Sequence, residues 1–350
     1  MRFLVLLVFL FVLGCAPTTK KIAVDDVAAE LEAKKQRELA VRSMYEDRLR
    51  LWRVAHRIKT KASAVCGDQV NYESGFFPAT SFIFGEDLKE AAQQAVNLSD
   101  VIKIVDVHPD SPAQTAGLKA GDIPLSLNDW KLPIGKDSLK LTAEKYEEIT
   151  KTGKSFNARV LRDGKEETLT ITPEKSCNFA VAMSNDTIIN AFADGKRIIV
   201  TRGLMRFTKD DTELALVVSH ELAHNAMRHI DAKKTNWALG SILDILAAVY
   251  GVNTQGGFGN LAGQAFSQDF EAEADYVGLY MMAHAAFDID NAPNFWRRMA
   301  EAIPASIRTN FTASHPATPH RFVALEKAVQ EIRKKQKEGV ALTPEMRDKK

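Results

Sequence analysis

The run Leu214-Ala215-Leu216-Val217-Val218-Ser219-His220-Glu221-Leu222-Ala223-His224 decides how this chain is read. Leu214, Leu216, Val217, Val218, Leu222 and Met227 supply apolar positions at helical spacing. Thr208-Lys209-Asp210-Asp211 just ahead has the form of a capping box, so the pattern predicts a helix here. On that helix His220 and His224 share one face, one turn apart. Two imidazoles so placed can bind one Zn2+, with Glu221 beside them as the general base of a hydrolytic site. Taken alone, the five residues also suit a surface helix with two exposed histidines, and the surrounding sequence must decide.

A hydrolytic zinc needs a third protein ligand and a fourth position for water. Phe270-Glu271-Ala272-Glu273-Ala274-Asp275 supplies carboxylates on a second predicted helix, capped by Ser267. Glu271 and Asp275 are again four apart and share a face, so Glu271 can ligate while Asp275 orients a ligand histidine from behind. Upstream, Asn190 to Val200 reads as a β-hairpin turning at Asp194-Gly195. Downstream come Ser314-His315-Pro316 and Arg321.

These features stand in a fixed order: the Asn190-Ala191-Phe192-Ala193 strand, Thr201-Arg202-Gly203-Leu204, the His220–His224 helix running on to Arg228-His229, Glu271 to Asp275 with Gly278, and His315-Pro316 leading into Arg321. In that order the stretch from Asn190 to about Leu325 resembles the M48 family of zinc metallopeptidases. The resemblance implies an α+β fold, with a mostly helical zincin-type catalytic domain carrying a small β-hairpin and edge strand. It implies one Zn2+ per chain, held by His220, His224 and Glu271, with Glu273 facing solvent and Asp275 behind the ligands. Glu221 is then the catalytic base, and a peptide substrate lies along Asn190, Ala191, Phe192 and Ala193 as an added strand. His315 and Arg321 join the catalytic set. His315 is a fourth ligand that blocks the water site and acts as a switch, or a stabiliser of the oxyanion, or a loop histidine before a helix. Arg321 binds the substrate carbonyl or caps the site. His229 and His320 are expected to be structural or at the surface. Trp237 to Phe266, apolar and Gly-rich, is expected as two short helices joined by a loop, either a lid over the site or a buried hairpin.

Residues 70–175 have another texture. Val101 to Val107 is β-branched and strand-like, and Asp110-Ser111-Pro112 turns into a short helix closed by Gly117 and Gly121. Ile123 to Leu127 is a strand and Leu141 to Thr150 a helix, and Phe156 to Leu161 and Glu167 to Ile171 flank the Asp163-Gly164 hairpin. Ser111-Pro112-Ala113 and Ala116-Gly117-Leu118-Lys119-Ala120-Gly121-Asp122-Ile123 resemble a PDZ domain of the bacterial type, so an inserted PDZ-like α/β module is expected. PDZ domains take an extended peptide as an extra strand. Ser81-Phe82-Ile83-Phe84-Gly85 is the candidate peptide-binding loop, and a spacer that binds nothing is the alternative.

Met1-Arg2, the apolar run Phe3 to Leu13, and Gly14-Cys15 have the form of an export signal, too short to span a bilayer. Val12-Leu13-Gly14-Cys15 resembles a bacterial lipobox, which makes Cys15 the lipidated mature N-terminus; a plain cleaved signal is the alternative. Ala16 after the cysteine favours an outer-membrane anchor facing the periplasm. In an oxidising compartment Cys66 and Cys177 form either a disulfide closing a loop of about 110 residues, worth about 4 kcal/mol, or two separate buried thiols.

The expected divisions are 1–15 signal peptide, 16–69 tether and N-terminal helix, 70–175 PDZ-like domain, 176–332 metallopeptidase domain and 333–350 a charged, fraying tail. With 46 Lys and Arg against 45 Asp and Glu, the net charge of +1 gives no electrostatic reason to expect nucleic acid as a partner. The expected activity is that of a zinc-dependent endopeptidase acting on misfolded or misassembled envelope proteins. The alternative is a periplasmic chaperone or binding lipoprotein that holds partners through the PDZ-like module and whose metal site is silenced.

Overall fold

The computed structural model of the chain describes residues 18–249, 254–255, 267–307, 315 and 317–346. The apolar start with Cys15, most of the Gly-rich stretch 250–266, and Ser314 and Pro316 lie outside the described residues.

A 36-residue helix, α1 (Asp26–Lys61), starts at Asp25, whose side chain accepts the Val27 N–H. There follow β1 (Val70–Glu73), β2 (Phe76–Ala79), α2 (Lys89–Val96), β3 (Lys103–Val107), the one-turn α3 (Pro112–Thr115), β4 (Ile123–Leu127), β5 (Trp130–Lys131) and α4 (Ser138–Thr150). Next come β6 (Phe156–Arg162), β7 (Lys165–Ile171), β8 (Glu174–Cys177), β9 (Ala180–Ser184), β10 (Ala191–Ala193) and β11 (Arg197–Thr201). The remaining described helices are α5 (Arg202–Phe207), α6 (Asp211–Ala226), α7 (His229–Val249), α8 (Ser267–His284), α9 (Ala292–Ala302) and α10 (Pro319–Glu338).

The α+β architecture resolves into two bodies. In the larger, α6 is buried on nearly every face, with α8 packed along it and α1 against another side. A three-stranded sheet of order β10-β11-β9 covers a further side, with β10 at its edge and β9 parallel to β11. The core between them is built from Ile58, Ile198, Leu214, Leu222, Leu279 and Tyr280. In the smaller body the sheet β5-β4-β6-β7, the pair β2-β3 and α4 enclose Ile104, Phe156, Val160 and Ile171. Asp163 and Gly164 both take positive φ (49° and 77°), the conformation a two-residue turn needs to match the twist of β6 and β7. The bodies are tied where β1 pairs antiparallel with β8, and Cys66 is bonded to Cys177 at the end of that ladder (Cα–Cα 5.7 Å). Beside this joint Glu73 of β1 meets Lys59 and His56 of α1.

Several expectations are corrected. The cap of α6 lies two residues later than the sequence suggested: Asp210 accepts the Glu213 N–H and Glu213 accepts the Lys209 N–H, while Thr208 closes α5 by bonding Met205 O. Ser81–Phe84 is a 3-10 turn. Phe84 of this turn, with Ala91, Ala92 and Ala95 of α2, joins the larger core that α1 helps to build. The strand that borders a groove is β2, facing α4 across a cavity of about 360 Å3 whose far wall is Trp52, His56 and Lys59 of α1. The expected N-terminal helix is α1, and from Val41 onward it is a core element of the larger body. Residues 229–249 form one helix, not the first of two short ones, and it exposes Trp237, Leu239, Ile242, Leu243 and Ile245. The last helix continues past residue 332: α10 runs to Glu338 and stops at Gly339 (φ 67°). The chain beyond it docks through Leu342, whose carbonyl lies 2.6 Å from His284 Nε2, and through Lys335, which donates to Tyr280 Oη and Thr343 O.

Candidate metal centre

The site begins with the burial of α6. His220, Glu221 and His224 are 1%, 2% and 3% exposed, so the helix is no surface helix and its polar residues need partners. Helix α8 supplies them, bringing Glu271 and Asp275 to the same point. The approach is close because Gly278 faces α6: a Cβ there would lie 3.1 Å from His220 N.

His220 Nε2 and His224 Nε2 are 3.1 Å apart, and Glu271 lies 3.4 Å from the first and 3.3 Å from the second. His315 Nδ1 is 3.4 Å from His220 Nε2 and 2.9 Å from Glu271 Oε2. Four ligands about 2.0–2.1 Å from a tetrahedral ion sit about 3.3–3.4 Å from one another. Glu271 Oε1 and Glu221 Oε2 are buried without a hydrogen-bond donor among the described residues. Orphaned carboxylate oxygens facing a ring of imidazole nitrogens fit a cation, and His220, His224, Glu271 and His315 are the group that can hold it.

The electrostatics favour the same occupant. Burial pushes His224 down to about 4, so its ring is neutral at pH 7 and has a lone pair to offer. Burial also disfavours charge on His220, but Asp275 and Glu271 outweigh it and hold this histidine at about 9. Against its own burial, Glu271 is kept well below the usual carboxylate range by His315 and the two helix histidines. A cation held by His220 would have to displace the proton this histidine otherwise carries.

Around this set stand the groups that aim it. Asp275 Oδ1 is 3.0 Å from His220 Nδ1, and both its oxygens accept from Arg321 (2.8 and 2.9 Å). Arg321, 6% exposed, also reaches Glu271 Oε2 at 3.3 Å. Glu221 Oε1 lies 3.4 Å from His315 Nε2. Asn190 shares a cavity with His315 and Arg321, while Phe192 on the edge strand is 40% exposed. Glu273 is exposed and His320 lies at the surface.

His229, expected to be structural or at the surface, is structural: it is buried, with Nδ1 2.9 Å from His224 Nδ1 and Nε2 2.8 Å from Glu273. Two residues escaped sequence reasoning. Asn225 accepts the Gly195 N–H and donates to Arg197 O, fixing the β10–β11 turn to the metal helix. A poor helix former directly after His224, inside an apolar helix, was the available signal. Trp296 stands 5.0 Å ring to ring from His220; nothing in its spacing marks it.

A His-Glu-x-x-His helix completed by a carboxylate from a second helix is the arrangement of a zincin-type metallohydrolase centre. Residues 167–329 match the sequence model of peptidase family M48 and residues 92–172 that of the PDZ domain, so the chain carries an M48 peptidase domain and a PDZ domain. It is 29% identical over 156 residues to the mitochondrial metalloendopeptidase OMA1 of Arabidopsis thaliana, covering 43% of this chain and 32% of that protein. To the OMA1 of Schizosaccharomyces pombe it is 33% identical over 159 residues, covering 43% and 46%. To the beta-barrel assembly-enhancing protease of Yersinia pestis it is 32% identical over 139 residues, covering 35% and 28%. The chain thus spans less than half the length of each of these relatives.

Proposed function

We propose that the chain is a zinc-dependent endopeptidase that cuts extended segments of misfolded or misassembled envelope proteins. The observation that carries this is the buried ligand set, in which His220, His224 and Glu271 face one point and two carboxylate oxygens have no hydrogen-bond partner among the described residues. A Zn2+ bound there supplies a water whose pKa is lowered to about 7 and polarises a carbonyl oxygen. The chain's own residues do the rest. Asp275 and Arg321 hold His220 and Glu271 in orientation. Glu221 Oε2, buried and without a donor among the described residues, takes the proton of the attacking water and returns it to the leaving amine. The free edge of β10 receives the substrate as an added strand, and the Asn225 ties keep that edge in place.

The test is metal analysis of the purified protein together with cleavage of unfolded casein, with and without chelator. One zinc per chain and chelator-sensitive cleavage are expected. Glu221→Gln should keep the metal and lose cleavage by at least about a hundredfold; casein cut at the unaltered rate by that variant would overturn the assignment. The second reading, a binding protein with a silenced site, is supported by His315 Nδ1, which stands at ligand-to-ligand distance from His220 and Glu271. It predicts bound zinc without cleavage, and cleavage gained in His315→Ala.

The address belongs to the same proposal. Cys15 is the lipid anchor, and the enzyme faces the periplasm from the outer membrane. Among the described residues no helix is long and apolar enough to cross a membrane. A Cys15→Ser variant that still carried lipid would refute the anchor.

A further inference from the structure

Next to the metal centre lies a cavity of about 390 Å3, within the size range of ligand pockets, about 300–1,000 Å3. Its walls are largely apolar: Ile189 ahead of β10, Trp296 and Met299 of α9, Ile303 after it, and Phe322 of α10. Two observations tie it to substrate. Asn190, His315 and Arg321 line it too, so the approach to the edge strand and the rim of the metal centre are also walls of this cavity. A peptide laid along β10 past His315 therefore carries one side chain across its mouth. The second is Trp296, 7% exposed, whose indole nitrogen is buried with no hydrogen-bond partner among the described residues. A buried donor left without a partner beside the cavity calls for an acceptor from whatever enters.

We propose that this cavity is the specificity pocket of the peptidase, filled by a large apolar side chain (Leu, Phe or Met) adjoining the scissile bond, with the Trp296 indole N–H donating to a backbone carbonyl of the same segment. The inference rests on the peptidase reading and deepens it by naming the substrate class. In folded proteins such side chains are buried. A segment that offers one in extended form beside an open backbone belongs to a chain that has not folded or has lost its partner. The pocket thus selects by folding state as well as by residue type.

The test is to digest unfolded casein with the full-length protein and sequence the cut bonds. Enrichment of Leu, Phe or Met on one side of the bond is expected, with matched peptides carrying Ser or Asp there cut about tenfold or more slowly. Met299→Ala enlarges the pocket and should shift the preference toward Phe and Trp. Ala300→Leu, on the same wall, should shift it toward Val and Ala. Trp296→Phe keeps a ring and removes the donor, and should raise KM on the order of tenfold; an unchanged KM overturns the role of the indole. Chelator-sensitive cleavage with no enrichment on either side overturns the pocket and leaves the peptidase standing. So does the parental preference persisting in the wall variants, and Met299→Ala answers this alone where Ala300→Leu does not fold. Absence of any chelator-sensitive cleavage overturns both readings.

Discussion

Asp275 does two jobs with one carboxylate: it lies against His220 Nδ1 and it neutralises the buried Arg321. Asp275→Asn keeps the shape and removes the charge. Arg321 is then left with Glu271 as its carboxylate partner, pulling a ligand oxygen away from the histidines. Metal affinity is expected to fall about 10–100-fold and stability by about 3–5 kcal/mol, the cost of breaking a buried pair. Competition against a chelator of known affinity and a denaturant titration measure the two; an unchanged affinity would count against an orienting role. The residues of this group were legible in the sequence because each pair repeats the four-residue spacing of a helix face. His229 was not. It follows Arg228, whose φ of 56° breaks the helix between α6 and α7, and the reversal returns the imidazole to His224. No periodicity carries across such a break.

Between elements, the decisive contact is the crossing of α8 over α6 at Gly278. In most helices Gly→Ala stabilises by about 1 kcal/mol. Here the added methyl would lie 3.1 Å from His220 N and 3.2 Å from His220 Cα, both backbone atoms that cannot turn aside. Helix α8 must back away, taking Glu271 with it. Gly278→Ala is therefore expected to lose about 1–3 kcal/mol and to retain less metal after dialysis, measured by thermal melting and metal content. A gain in stability would show that the helices are less tightly opposed. The helices α6, α8 and α4 and the β6–β7 hairpin were readable because their own residues dictate them. The packing of Phe84 was not, since a short apolar run suits a groove and a core equally, and only its contact with the core that α1 helps to build decides.

For the whole molecule the question is how the PDZ module is held to the catalytic body. The order of the two units was legible in their motifs, but their joint depends on contacts between distant segments. The disulfide is one tie: it closes a loop between positions 111 apart, and Cys66→Ser with Cys177→Ser is expected to cost about 2–5 kcal/mol by equilibrium unfolding. The Glu73 cluster is the other, and it makes the joint sensitive to acid. Burial pushes the Glu73 carboxyl up, yet Lys59 and His56 outweigh this and hold it at about 2, below its ordinary 4.5. The folded state therefore keeps this carboxylate ionised where the unfolded chain already binds a proton. Its stabilisation is present in full above about pH 4.5 and disappears as pH falls toward 2. The upper limit is on the order of 3 kcal/mol, reduced by the 24% exposure of the side chain. Acid also strips the metal histidines, so the informative quantity is the difference between the native chain and Glu73→Gln, in which metal loss cancels. That difference should be largest at pH 6 and shrink at pH 3, where the unfolded chain already carries the proton that the folded carboxylate still excludes. A difference of the same size at both values in guanidinium unfolding would mean that Glu73 joins the two bodies by shape and not by charge.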